Sequence, residues 1–137
     1  MAIYGLGCDY DGQYVGDDFY NTGVACIGWS RKYKKDYLFG LMRDIAIGDI
    51  VVLKSFFQRG GKQVLRVKAI GIVSDNKIEK FDNLGEGFKV KWLKYNKDKI
   101  DEYEFKNTRY DGGVQRRTTI YKECNPKVSK WIIGLLA

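Results

Sequence analysis

The stretch from Ile50 to Val73 constrains the fold most. Ile50-Val51-Val52-Leu53-Lys54 is a β-branched, apolar run entered from the turn pair Gly48-Asp49. Side chains branched at Cβ favour extended backbone and pack well on a pleated surface. Arg59-Gly60-Gly61-Lys62 follows, and paired glycines readily supply the positive φ angles of a hairpin turn. Beyond the turn, Leu65, Val67, Ala69 and Val73 fall on one parity and Arg66 and Lys68 on the other. That alternation predicts a strand with one buried face. Gly71 lies on the apolar parity, where a missing side chain marks a bulge or a close backbone approach. A hairpin is not stable alone, so the rest of the chain must supply strands and helices to cover it.

Those elements are legible on both sides. Residues 2–8 read as a first strand, the acidic, Gly-rich stretch 9–18 as a loop, and residues 17–22 as a short helical turn. Val24 to Gly28 reads as a second strand ending at Trp29. Tyr37, Leu38, Leu41 and Ile45 recur at helical spacing, which predicts a helix over about 34–43. Phe88 to Tyr95 is another strand, with Val90 and Trp92 on one face and Lys89 and Lys91 on the other. A short edge strand is expected over 103–105 and a last strand over 114–121. Asn125 is a good N-cap and Pro126 suits the first helical position. Val128, Trp131, Ile132, Leu135 and Leu136 then mark an amphipathic helix over 126–136. Its stripe either packs on the sheet or docks another domain or subunit. About six short strands with two or three flanking helices predict a mainly β (α+β) domain, built as a closed or nearly closed small barrel. Its 137 residues suit a single domain over 1–137.

Composition narrows the function. The chain holds 24 Lys+Arg against 17 Asp+Glu, a formal charge of +7, and ten Tyr, seven Phe and three Trp. A small core cannot absorb all of those rings, so some should be exposed beside the positive charge. Cations meet phosphates and rings stack on bases, so DNA or RNA is the expected partner. The same composition also fits a soluble basic protein with a Tyr-rich β surface. Histidine is absent, which removes the commonest general base and metal ligand. Cys8, Cys26 and Cys124 form no Cys-x-x-Cys pair and no disulfide framework, so no metal or other cofactor is expected. The start, Met-Ala-Ile-Tyr-Gly, lacks a signal-peptide pattern, and no apolar run reaches membrane-spanning length. A cytoplasmic location with reduced thiols and no membrane contact is expected.

The order of these elements resembles the PUA-like superfamily. The resemblance rests on Val24-Ala-Cys-Ile-Gly-Trp29, Ile47-Gly-Asp-Ile-Val-Val-Leu-Lys54, Ala69-Ile-Gly-Ile-Val73 and Val90-Lys-Trp92, together with Asp17-Asp-Phe-Tyr-Asn-Thr-Gly23. It covers roughly residues 1–121 and is similar to the EVE and YTH-like branch, above all to the N-terminal modified-base-reading domains of McrB-type restriction GTPases. It implies a β-barrel whose aromatic pocket takes a base flipped out of its strand. It also implies a place in a restriction or defence system, beside a nuclease or NTPase subunit or domain. Unstacking costs a few kcal/mol and is recovered by stacking and edge hydrogen bonds. A methyl group on the base adds on the order of 1 kcal/mol of burial.

The candidate pocket residues are Trp29, Trp92, Tyr10, Phe19, Tyr20, Asp18 and Ser30. Trp29 is either a cage wall or a core ring capping the barrel, and Trp92 is open to the same two readings. Tyr10, Tyr14, Phe19 and Tyr20 lie in or beside the loop after the first strand; either one of them supplies a second cage ring, or Phe19 packs the short helix and the tyrosines are surface. Asp17 and Asp18 either accept from an exocyclic amine or cap the helical turn. Trp131 belongs to the helix stripe. Arg31, Lys32, Lys34 and Lys35, next to Trp29, are the leading phosphate contacts, with Arg59, Lys62, Arg116 and Arg117 as further cations. Asp49 is explained by turn chemistry. No enzymatic activity is expected. Glu104-Phe105-Lys106 with Asp82 or Asp98 is a weak match to a metal-dependent nuclease pattern. No phosphate-cradling Gly-x4-Gly-Lys-Ser/Thr string and no Gly-x-Ser-x-Gly string occurs. A protein-interaction or targeting module is the other reading that the composition permits.

Overall fold

The computed structural model describes residues 1–28, 36–96, 98, 100–106 and 114–137. Its main element is a mixed seven-stranded sheet. The strands are β1 (Ile3–Gly7), β4 (Val24–Ile27), β5 (Ile50–Arg59), β6 (Lys62–Phe81), β7 (Gly85–Tyr95), β8 (Asp101–Glu104) and β9 (Ile120–Lys122). They run in the order β4-β7-β6-β5-β1-β9, with β8 paired to β6. A two-stranded ribbon, β2 (Asp9–Tyr10) with β3 (Gln13–Tyr14), stands apart from the sheet. The helices are α1 (Gly16–Thr22), α2 (Asp36–Asp44) and α3 (Pro126–Gly134). A mainly β architecture is therefore correct.

Barrel closure is not. Among the described residues β4 pairs only with β7, and β9 only with β1, so the two ends of the sheet are not hydrogen-bonded to each other. β1 lies parallel to β5, and every other pairing is antiparallel.

The central hairpin is longer than its sequence signal. Gly60 and Gly61 turn at φ 59° and 79°. β6 then continues for 20 residues. It serves β5 and β8 with its first half, and β7 with its second half. Register changes let one strand do this, one against β5 and three against β7. Leu53 pairs with Ala69 and Lys54 with Val67, so Lys68 is an extra residue on β6. Such a bulge shifts the side-chain alternation by one. Leu65, Val67 and Ile70 consequently face one apolar cluster, while Ala69 and Val73 face another. The expected single face of 65, 67, 69 and 73 is thereby corrected. A second shift falls between Ile70 and Gly71, and a Cβ on Gly71 would lie 2.5 Å from Val90 Cγ1. Gly71 thus marks both a bulge and a close approach.

The two clusters cover the two faces of the sheet. One joins Tyr4, Leu6, Phe19, β4 and the buried face of α2, made by Leu38, Phe39, Met42 and Ile45. Tyr37, expected on that face, is instead exposed. The other cluster packs Val128 and Ile132 of α3 on Ile3, Ile50, Val52, Leu65 and Val67. The stripe of α3 therefore meets its own sheet, and Trp131 rests on that cluster, edge-on to Tyr103. Asn125 caps α3 by accepting from the Lys127 amide at 2.9 Å, and the helix ends at Gly134, two residues short of the expected end.

Two local expectations differ from the structure. The 9–18 stretch is not all loop: Asp11-Gly12 turns at φ 50° and 89° and closes β2 onto β3. Asp-Gly is a hairpin signal in its own right. The last strand does not begin at residue 114. A 3-10 turn over Val114–Arg117 comes first, and only Ile120–Lys122 pairs with β1. Asp49 accepts from the amides of Ala2 at 3.0 Å and Ala46 at 2.9 Å, so its carboxylate ties the chain start to the α2–β5 turn.

Candidate ligand-binding cavity

A cavity of about 430 Å³ opens where β1 and β4 end. This lies within the roughly 300–1,000 Å³ typical of small-molecule pockets. The β2–β3 ribbon supplies one wall through Asp9, Tyr10 and Asp11, and Gly28 continues it just past β4. Lys54 and the segment Arg117-Thr118-Thr119 supply the opposite wall. One side is therefore anionic and carries a ring. The other is cationic.

Tyr10 is fixed in place. Its hydroxyl donates to the Leu84 carbonyl at 2.8 Å, with the Cys26 carbonyl beyond at 3.3 Å. Its ring lies so close to Gly28 that a Cβ there would sit 3.1 Å away, and its edge meets Phe19 at 6.2 Å. Burial raises the phenol well above its ordinary pKa, so it remains a neutral donor.

Lys54 is the unusual group. Both faces of β5 are covered over residues 50–54, so a lysine at position 54 is buried whichever face it takes. Lys54 is only 6% exposed. Its ammonium donates to the Thr118 carbonyl at 2.6 Å and lies 5.7 Å from the centre of the Tyr121 ring. Among the described residues no carboxylate pairs with it. Burial is the main cause that lowers its pKa to about 8, and repulsion from Lys68 adds to it. Burial also pushes the Cys26 thiol up to about 12 and raises the Cys8 thiol, so neither is a ready nucleophile.

The opposite rim is held by a buried ion pair. Arg116 is 2% exposed, and its guanidinium meets the Glu123 carboxylate at 2.9 and 2.5 Å. Its carbon end lies 4.8 Å from the Phe105 ring centre, and Glu123 also accepts from the Tyr121 hydroxyl at 3.1 Å. Buried and paired, Arg116 cannot serve as the expected phosphate contact. It anchors the turn that presents Arg117, whose side chain is exposed.

The structure scatters the other expected site residues. Trp29, Ser30, Arg31, Lys32, Lys34 and Lys35 lie outside the described residues. Phe19 is fully buried in the core, so it cannot be a cage ring. Trp92 packs on the same core, and its indole donates to the Phe19 carbonyl at 3.0 Å, away from this cavity. Tyr20 is exposed but stacks on Tyr95 at 4.8 Å, and Asp18 lines a separate depression beside Thr22 and Asp82. Arg59 and Lys62 are at the far hairpin, paired with Glu102 at 2.9 Å and Glu104 at 3.2 Å. Tyr10 and Arg117 are the two expected residues that the cavity brings together.

Lys54 was missed as a site residue. The signal was its place in an apolar strand. Glu104, of the nuclease-like tripeptide, is engaged with Lys62, and among the described residues no three His, Cys, Asp or Glu cluster as a metal site would require. No helix among the described residues is long and apolar enough to cross a membrane. Comparison with protein-family models finds no matching family, and no curated protein matches the chain.

Proposed function

We propose that the chain is a nucleic-acid-binding domain of PUA-like type that takes a single flipped base into the cavity between the β2–β3 ribbon and residues 117–119. The observation that carries this reading is Lys54, a buried ammonium at the cavity wall with no carboxylate partner among the described residues. A buried charge is costly unless it is paired. A ligand rich in acceptors completes it, and a base edge or a phosphate oxygen is such a ligand. Asp9 and Asp11 suit the exocyclic amine of a base, Tyr10 gives an apolar flank, and Arg117 at the mouth suits a phosphate. Trp29 directly follows Gly28 in the chain and, with the basic run 31–35, belongs to the same proposal. A modified, methylated base and a role in a restriction or defence system follow from the resemblance and complete the reading. Such a domain binds and does no chemistry of its own.

Fluorescence anisotropy tests this on short single-stranded and duplex DNA and RNA, with and without methylated bases, at two salt concentrations. Tight binding with a preference for one base is expected. Lys54→Met should weaken it by roughly ten- to a hundredfold, since a hydrogen bond to a charged group contributes about 1.5–3 kcal/mol. Arg117→Ala should weaken all sequences alike and flatten the salt slope. Binding that higher salt erases entirely, unchanged in both variants, overturns the assignment.

A further inference from the structure

The β2–β3 ribbon has a second side. Tyr14 pairs directly with Asp9 across the ribbon, and Asp9 lines the first cavity. Directly paired residues lie about 5 Å apart, so a depression beside Tyr14 adjoins the first cavity at the ribbon. On the Tyr14 side lies a depression of about 340 Å³ that Lys68, Arg66, Asp17 and Tyr95 also line.

Tyr14 and Tyr95 line it, and Tyr20 stands against Tyr95 beside it. Tyr14 and Tyr20 are 41% and 45% exposed. The Tyr14 and Tyr95 hydroxyls lie 2.8 Å apart, and Tyr95 donates to Asp17 at 2.5 Å. Tyr20 covers one face of Tyr95, with the ring centres 4.8 Å apart at a 33° tilt, and Tyr95 is the ring contact it makes. A ring fixed before binding has little freedom left to lose.

The charges divide in the same way. Arg66 is paired with Glu102 at 2.8 Å, a carboxylate that it shares with Arg59. Lys68 is not paired with any carboxylate among the described residues; it lies 5.0 Å from the Tyr14 ring centre. It is the extra residue of the β6 bulge, a device that re-aims a side chain. Lys54 pairs in register with Val67, the residue before Lys68, so the two lysines are neighbours across the β5–β6 ladder. Two neighbouring unpaired cations, one at each depression, fit the phosphate that links two nucleotides.

We propose that the Tyr14–Tyr20–Tyr95 cluster and Lys68 form a stacking subsite for the nucleotide next to the flipped base. Its phosphate meets Lys68 and its base lies on Tyr20. This rests on the reading of the first cavity, and the ligand is single-stranded or locally opened nucleic acid. The subsite makes affinity depend on strand length, which a pocket for one base alone does not.

The test compares a labelled mixed-sequence single-stranded DNA pentanucleotide, read by anisotropy, with the four deoxynucleoside 5′-monophosphates, read by NMR titration. Tyr20→Ala and Lys68→Gln should each weaken the pentanucleotide about five- to a hundredfold, from the usual contribution of one stacked base or one phosphate contact. Monophosphate binding should stay within about twofold in Tyr20→Ala, whose ring lies outside the first cavity; Lys68→Gln is read on the pentanucleotide alone, because Lys68 neighbours Lys54 and a monophosphate carries a phosphate of its own. Tyr20→Trp should retain pentanucleotide affinity. Unchanged pentanucleotide binding in Tyr20→Ala and Lys68→Gln, with loss confined to Lys54→Met, removes the subsite and leaves the cavity reading standing. Equal losses on both probes in Tyr20→Ala also remove it. A protein that binds neither probe overturns both proposals.

Discussion

Replacing Lys54 with methionine should stabilise the free protein at neutral pH while weakening its hold on nucleic acid. Methionine keeps an unbranched apolar stem and removes the ammonium. In the folded chain the ammonium titrates at about 8, against 10.5 for an exposed lysine. Below pH 8 both folded and unfolded chains carry the proton, so the whole penalty of the buried charge is present. Between about 8 and 10.5 the folded amine is neutral while the unfolded one is still charged. The unfolded state then binds more protons, and stability rises with pH. Above 10.5 both are neutral and no further change follows from this group. The shift is equivalent to about 3 kcal/mol, and losing the hydrogen bond to the Thr118 carbonyl offsets about 1 kcal/mol of it. Lys54→Met should therefore gain about 2 kcal/mol at pH 7, and the gain should vanish near about pH 10, where the remaining penalty no longer exceeds the lost hydrogen bond. Urea unfolding of both proteins at pH 7 and pH 10 measures this through the midpoint at constant m. A variant less stable than its parent at pH 7, or a gain of equal size at both pH values, would refute the argument. Binding runs the opposite way. Acceptors from a ligand hold the proton on Lys54, so affinity should be full below pH 8 and fall as pH rises through it, a dependence that Lys54→Met should lack.

Three further substitutions probe the scaffold. Gly71→Ala places a Cβ 2.5 Å from Val90 and 2.8 Å from the Lys91 carbonyl; a loss of about 1–3 kcal/mol is expected in denaturant unfolding, as for other overpacked cores. Arg116→Met strands the buried Glu123 carboxylate and should cost about 3–5 kcal/mol, while Arg116→Met with Glu123→Leu should recover most of it. Asp49→Ala removes the acceptor for two backbone amides, a loss of about 1.5–3 kcal/mol visible in thermal melting, with nucleic-acid affinity unchanged once the protein is folded.

Much of the fold was legible because it is written in local patterns. The capped helix at Asn125-Pro126, the apolar run Ile50–Leu53 and the Gly60-Gly61 turn each carry their own signal. What the sequence hid was non-local. A bulge has no fixed composition, so the extra residue at Lys68, and the change of face it causes, depends on how β6 matches β5. Closure failed as an expectation because it turns on whether the two ends of the sheet meet, and strand count alone does not determine that. The candidate site was less legible than the fold. Ring type alone could not separate Phe19, which fills the core, from Tyr10, which lines the cavity, although both sit near the same ribbon. Arg116 and Arg117 are adjacent in sequence, yet one is buried against Glu123 and the other faces out at the cavity rim.

The contrast between Arg116 and Lys54 bears most directly on function. Both cations are buried at the same end of the sheet, and both lie near the Tyr121 ring, at 6.0 and 5.7 Å. Arg116 is answered from within the chain by Glu123, and the pair fixes the turn before β9. Lys54 has the Thr118 carbonyl and, among the described residues, no counter-charge. If burial of Lys54 served packing alone, an apolar side chain would fill the same space without the desolvation penalty. If it served the fold electrostatically, a carboxylate would stand beside it as Glu123 stands beside Arg116. Among the described residues no such carboxylate stands beside it, and the amine borders a cavity of about 430 Å³. On the proposed reading the missing acceptors are the ligand's, and the penalty that the free protein carries at Lys54 is the one that a bound nucleic acid would relieve.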